Sequence, residues 1–507
     1  LQNRWYSRVW NRSIVLSVST LLLSGVVADR APALHSPIAP PANQLSDWET
    51  PVVGRLSNGV RYAVLPRHGS EPGVAVLMRN EGGFIAERRP GERGLAHLIE
   101  HIVFHSPVTG APDDFDHLKR IGMPLTLPAP NAGSTSWRET NYYLSTRTTA
   151  SGDLDALLAL FSDAATGMTL RADAVDVSRT EVMREMAEKK LGNDIYASYI
   201  AAIAPGSPND VIEAQNSADV PTASVDTIRA LYHRLYRPEN MMIVVVGNVK
   251  ADEARALIEK RFGDWKPSQP TPRQKPFPMF QRDRIRPVSY SALPQGRRVA
   301  LVTVVMPTPA PPSSRDRQAR AEVMDLLVTR AVNDRLNTLQ PGSPAGKVGM
   351  FIENGEQGQR QIMLWDSFAG DKWREAVASL KKTTCPLNAS GFTESEWSTA
   401  KQNLLSDLEH RAAGMSGVPN VDIAKDLSHA LVDSRSLIPV DELLRYARAI
   451  LPQTDARSGN KWWRRQWGSG TEHLRVEAPE LASIADPVSA ISTAANGATS
   501  APGCKVR

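Results

Sequence analysis

Five of the 507 residues carry the most chemistry: His97-Leu98-Ile99-Glu100-His101. On a helix, positions i and i+4 lie on one face, so His97 and His101 can offer two imidazoles to one metal ion at about 2.0–2.1 Å. Glu100 falls on an adjacent part of that face and can reach a water on the ion without taking a ligand position. The order is the inverse of HExxH, with the carboxylate beside the second histidine. Zinc at such a site would acidify its water and polarise a carbonyl, with Glu100 as general base. A solvated helix face that happens to carry two His and a Glu is the competing reading of so short a motif.

A catalytic zinc needs a third protein ligand and an open fourth position. Val177–Lys190 (VSRTEVMREMAEKK) is strongly helical, and Glu181, Glu185 and Glu188 share one face at i, i+4 and i+7. From spacing alone an exposed helix with ionic pairs is the better reading. The other eight histidines are scattered and read as structural or solvated, although His105 continues the i+4 series from His101. No glycine-rich loop has phosphate-binding spacing, and no Ser or Cys stands in a nucleophile elbow.

These residues need a frame. Val60–Leu65 and Val74–Met78 are β-branched runs that suggest paired strands. Leu95–Phe104 and Leu154–Met168 have helical apolar spacing, Tyr142–Thr148 reads as a strand, and Met241–Val246 as a buried one. Ala251–Phe262 is again helical. Five prolines between Lys266 and Met279 then exclude a helix or a central strand. Beyond them the grammar restarts: a strand at Val299–Met306, a helix at Arg317–Leu339 and a short strand at Gln361–Trp365. Thr393 and Glu396 form a capping box ahead of another helix. Similar size and element order in the two blocks hint at an internal duplication. Tyr446 and the Arg464-Arg465 pair read as parts of packed helices.

Composition bounds the rest. The 59 Lys+Arg against 54 Asp+Glu give a formal charge of +5, too diffuse for nucleic acid. Arg4, Arg8 and Arg12 followed by an apolar run to Val27 read as a secretory signal over residues 1–28. Much of the positive excess therefore belongs to that segment. The expected location is periplasmic or secreted, with no membrane contact beyond the signal. Two cysteines exclude a disulfide scaffold. Cys385 reads as lying in a Pro-flanked loop, and two bystander thiols are a simpler reading than a Cys385–Cys504 pair. The expected divisions are a Pro-rich spacer at 29–45, an N-terminal domain at 46–266, a linker at 267–293, a C-terminal domain at 294–480 and a disordered tail at 481–507.

Gly91–Ser106 (GERGLAHLIEHIVFHS) resembles the zinc site of the pitrilysin/insulysin peptidases, which include mitochondrial processing peptidase and many exported bacterial zinc proteases. Asn131-Ala132 with Glu139–Tyr143 is similar to that family's substrate edge, and Arg184-Glu185 to the helix supplying its third ligand. Tyr236–Met241 with Phe262–Trp265 matches the end of its first domain, and Glu396–Leu408 resembles its non-catalytic domain. The resemblance covers roughly residues 47–475. It implies an α+β fold of two homologous sheet-and-helix domains, the first catalytic, enclosing a chamber for peptides or unfolded segments. It implies one zinc per chain on His97, His101 and Glu185, Glu100 as base, and a substrate edge at Asn131, Ala132 and Tyr143.

Three features depart from the family's pattern. The supporting Glu seven residues before the ligand Glu is Ser178 here, with Glu181 as the candidate replacement. The Asn131 segment has one extra residue. The Arg/Tyr pair that active members bring from a later domain has no counterpart after residue 294. The expected partner is therefore a second copy or a separate non-catalytic half; a scaffold subunit without activity is the other reading.

Overall fold

The computed structural model describes residues 48–68, 72–105, 132–146, 149, 151–204, 217–266, 280–339, 347–355 and 358–499. The expected signal, the spacer, Asn131, Cys504 and residues 267–279 of the Pro-rich linker lie outside the described residues. No helix among the described residues is long and apolar enough to cross a membrane.

The first domain runs β1 (Val52–Arg55), β2 (Arg61–Pro66), β3 (Val74–Asn80), α1 (Leu95–His105), β4 (Gly133–Thr135), β5 (Thr140–Thr146), α2 (Ser151–Thr166), α3 (Ala172–Ile203), α4 (Val225–Leu235), β6 (Met241–Gly247) and α5 (Ala251–Phe262). Its strands form one sheet in the order β1-β2-β6-β3-β5-β4. Only β2 and β6 pair in parallel; every other neighbour is antiparallel. β6 sits inside the sheet with all its residues buried, which is why MMIVVV reads as continuous rather than alternating. The adjacent runs at 60–65 and 74–78 are not partners, because β6 lies between them. A strand buried on both faces competes successfully for the central place.

The second domain runs β7 (Val288–Ser291), β8 (Val299–Pro307), α6 (Arg315–Leu339), β9 (Val348–Asn354), β10 (Gln359–Ser367), α7 (Trp373–Ala389), α8 (Glu394–Ala413), α9 (Asn420–Val432), α10 (Val440–Ile450), α11 (Ala456–Gln466), β11 (Thr471–Glu477) and α12 (Pro487–Thr499). Its sheet order is β7-β11-β8-β10-β9, again with one parallel pair, β7 with β11. Position by position this repeats β2-β6-β3-β5-β4. The duplication is therefore visible in topology, with α6 in the place of α1. α6 carries no histidine.

Each sheet has its second face covered by the other domain. Ile423, Ala424 and Leu427 of α9 pack on Leu65, Leu77, Val244 and Val246 of the first sheet. Tyr199, Ile200 and Ile203 at the end of α3 pack on Leu301, Val305, Phe351 and Met363 around the second. A fully buried arginine fastens each crossing. Arg67 donates to the carbonyls of Met415 (2.7 Å) and Val418 (2.6 Å) and to Asn420 Oδ1 (2.8 Å). Arg475 donates to Ser198 Oγ (2.6 Å) and the Ile195 carbonyl (3.3 Å).

Three expectations are corrected. The second domain begins before residue 294, because β7 belongs to its sheet; Pro287 stands just ahead of an edge strand, where a missing N–H is tolerated. The tail is not disordered from residue 481: α12 buries Ile491 and Ala495 in the second core, small residues and alanine being compatible with a close-packed helix. Cys385 lies in α7 rather than in a loop, and it is disulfide-bonded rather than a bystander thiol. Pro386 falls near the end of α7, where it removes one backbone hydrogen bond without ending the helix.

Leu427→Ala tests the exchange. Its side chain is buried against the first sheet, so the substitution should cost about 2–5 kcal/mol in urea denaturation. A change below about 1 kcal/mol would show that α9 rests on the sheet without stabilising it.

Candidate metal centre

The helix carrying the five-residue motif starts where the chain cannot take a side chain. Gly94 has φ +92°, and a Cβ there would meet Ser217 Cα at 2.3 Å. Buried Glu87 caps the helix start, its carboxylate accepting from the amides of Gly94 (2.7 Å) and Ala96 (2.6 Å), which have no partner within the helix. From Leu95 to Phe104 every residue of α1 is buried. The solvated-face reading of the motif is therefore excluded.

α3 packs along α1 and brings Glu185 to the two imidazoles. Glu185 Oε1 lies 3.7 Å from His97 Nε2, and Oε2 lies 3.4 Å from His101 Nε2. Donor atoms of these three residues all fall within 4.8 Å of one another. Atoms bound tetrahedrally to zinc at about 2.0–2.1 Å are roughly 3.3–3.5 Å apart. The observed separations are close to that spacing, and 3.7 Å is too long for a direct hydrogen bond. His97 Nδ1 is buried with no hydrogen-bond partner. The three side chains fit a metal ion.

The three side chains and Glu100 shift one another's protonation strongly. Burial pushes His97 down to about 3, so it is neutral and able to ligate. Burial also pulls His101 down, but Glu181, Glu185 and Glu100 outweigh it and hold the group at about 9. Burial raises Glu185, yet His101, His97 and Lys189 together hold it well below the usual carboxylate range. The Lys189 ammonium donates to Glu185 Oε1.

Glu100 stands beside this cluster. Burial pushes it up to about 7, against the pull of His101 and of Thr135. Thr135 Oγ1 donates to its Oε2 at 2.7 Å, and a Cβ on Gly133 would lie 2.4 Å from its Oε1. Both residues sit on β4, the last strand of the first sheet. His97, Glu100, Glu185 and β4 line a cleft of about 1940 Å³ whose far wall is formed by α6 and β9 of the second domain.

The other expected residues divide. Glu181 Oε2 lies 3.2 Å from His101 Nδ1. Ser178 is fully buried, but its hydroxyl has no hydrogen-bond partner and reaches no site residue. Ala132 is buried, with its carbonyl accepting from Tyr143 N. Tyr143 is on β5, which pairs with β3 on one side and β4 on the other, so it offers no edge to a substrate. The edge is β4, and Tyr143 supports it by donating its hydroxyl to the Gly133 carbonyl at 2.9 Å. Sequence reasoning missed Thr135, Gly133, Lys189 and His105. For His105 the i+4 spacing was a signal; for Thr135 there was none.

The family model described as Insulinase (Peptidase family M16) matches residues 73–200, and the one described as Peptidase M16 inactive domain matches residues 222–404. The chain belongs to the M16, or insulinase, peptidase family. It is 28% identical over 247 residues to the probable zinc protease PqqL of Escherichia coli (strain K12), a match covering 48% of this chain and 25% of that protein. The fold superposes on the crystal structure of the periplasmic protease PqqL from Escherichia coli with a TM-score of 0.74, at 17% identity over 90% of this chain and 51% of that one. On the first half of that protease, solved separately, the TM-score is 0.72, with 98% of that half covered. The chain spans less than half the length of the curated relatives it matches.

Zinc binding should release protons. At pH 7.5 His101, held at about 9, must lose one before its Nε2 can ligate, whereas His97 and Glu185 are already unprotonated. Affinity should therefore rise with pH up to about 9. Calorimetric titration in buffers of differing ionisation enthalpy should report about one proton per zinc; none would remove His101 from the ligand set.

Proposed function

We propose that this chain is a zinc endopeptidase, exported to the periplasm or beyond, that hydrolyses peptides or unfolded segments. The observation that carries this reading is the convergence of His97, His101 and Glu185 within 4.8 Å, next to a buried carboxylate with a pKa of about 7. Zinc, when bound by those three residues, would acidify water and polarise the scissile carbonyl. Glu100 would accept the water's proton and return it to the leaving amine, a pKa near the working pH suiting both transfers. With Oε2 held by Thr135, Oε1 is the oxygen left to do so.

Among the described residues no strand pairs with the outer side of β4. An extended peptide adding there as a further strand would lie beside Glu100. The cleft of about 1940 Å³ is too small for a folded domain, whose radius of gyration is about 13 Å at a hundred residues. Export is supported by the leader-like first 28 residues and by a relative named as periplasmic.

Correspondence to one half of a solved relative favours a second reading of the assembly. This chain would be a catalytic half working with a second copy or with a separate non-catalytic half. A scaffold role is disfavoured because every member of the ligand and base set is present and assembled.

Purified protein should bind one zinc and cleave an unfolded substrate such as a quenched fluorescent peptide. Glu100→Gln should keep the metal and lower hydrolysis by roughly a hundred- to ten-thousand-fold. Equal cleavage by this variant, or no zinc on the wild type, would overturn the mechanism. Gly133→Ala should likewise retain zinc while slowing hydrolysis at least about tenfold, because the new methyl occupies the place of the Glu100 carboxylate. Mixing with a neighbouring family-like chain tests the half-enzyme reading through a gain in rate.

A further inference from the structure

We propose that Glu181 and His105 form a second, metal-free rung that sets the orientation of His101 and thereby the affinity of the site. The inference rests on the metal-site reading above and assigns His105 a part in it.

The geometry is a ladder between two helices. α1 presents His97, His101 and His105 at successive i+4 positions, and α3 presents Glu185 and Glu181 one turn apart, running the opposite way. Glu185 faces His97 and His101. Glu181 faces His101 and His105, and the same oxygen, Oε2, lies 3.2 Å from His101 Nδ1 and 2.9 Å from His105 Nε2. All three side chains of this second rung are largely withdrawn from solvent, at 10%, 18% and 19% exposure.

A carboxylate oxygen only accepts, so the hydrogen bond requires a proton on His101 Nδ1. That leaves Nε2, which faces Glu185, as the nitrogen that ligates. His105 restrains Glu181 from the other side. Without it, one carboxylate oxygen at the end of a flexible side chain would hold the imidazole by a single bond. Partners of this kind behind a ligating histidine typically change metal affinity by about 10–100-fold when removed. His105 and Glu181 are positioning residues, and neither is needed as a ligand.

The test compares zinc affinity, measured by competition with a chromophoric chelator, in wild type, Glu181→Gln, His105→Ala and His105→Gln. Glu181→Gln should weaken binding about tenfold or more, and His105→Ala about tenfold. His105→Gln, whose amide can still donate to Glu181, should recover most of that loss. Nitrogen-15 spectra of the metal-free protein above about pH 9, where His101 has lost its second proton, should show the remaining proton fixed on Nδ1 in wild type, and a tautomer mixture in Glu181→Gln. Urea midpoints identify any variant that simply fails to fold. Affinities within twofold of wild type for both Glu181→Gln and His105→Ala, or an unchanged His101 tautomer, would overturn the proposal while leaving the zinc site standing. Absence of zinc binding by wild type would instead remove the reading on which it rests.

Discussion

The structure depends on burying charged groups between two helices that must stay in register. α1 is enclosed from Leu95 to Phe104, yet it carries two imidazoles and a carboxylate into that interior. Buried ionisable groups are costly unless they meet partners, and here the partners come almost entirely from α3. A shift of α3 by a single residue would rotate Glu185 by about 100° away from the imidazoles. The register of this contact is therefore what the remaining packing has to protect, from the glycine at the helix start to the far end of α3.

That far end is not in the first domain. α3 spans 32 residues, carrying Glu181 and Glu185 in its first half and Tyr199, Ile200 and Ile203 in its last turns. Tyr199 donates to Gln361 Oε1 at 2.9 Å, and Arg475 holds the helix backbone at Ile195. The second domain has lost, or never had, the histidines that α1 presents at the equivalent place. It contributes instead by gripping the helix that brings in the carboxylates.

Legibility in the sequence followed the range of the interactions. The limits of α5 and the capping box at Thr393 and Glu396 were readable, because caps and periodicity act over a few residues. The buried β6 announced itself as an apolar run, but nothing local says that it inserts between β2 and β3. The motif on α1 was legible as chemistry, and Glu185 only through resemblance, since its helix looks like an ordinary charged surface. Thr135 and Gly133 belong to a three-residue edge strand facing a polar cleft, so no hydrophobic alternation marks them. The reciprocal covering of the sheets by α9 and α3 is a tertiary event between segments far apart in the chain.

The reciprocal covering also determines what this chain can do mechanically. Swinging the two sheets apart would strip three apolar side chains of α9 from one and three of α3 from the other. At roughly 1.5–3 kcal/mol for each, with Arg67 and Arg475 losing their partners as well, such an opening would rival the whole stability of an ordinary domain, about 5–15 kcal/mol. The described parts of the two domains are therefore held as one body, and under the proposed peptidase reading a long substrate would be admitted by movement at the rim or against a second body.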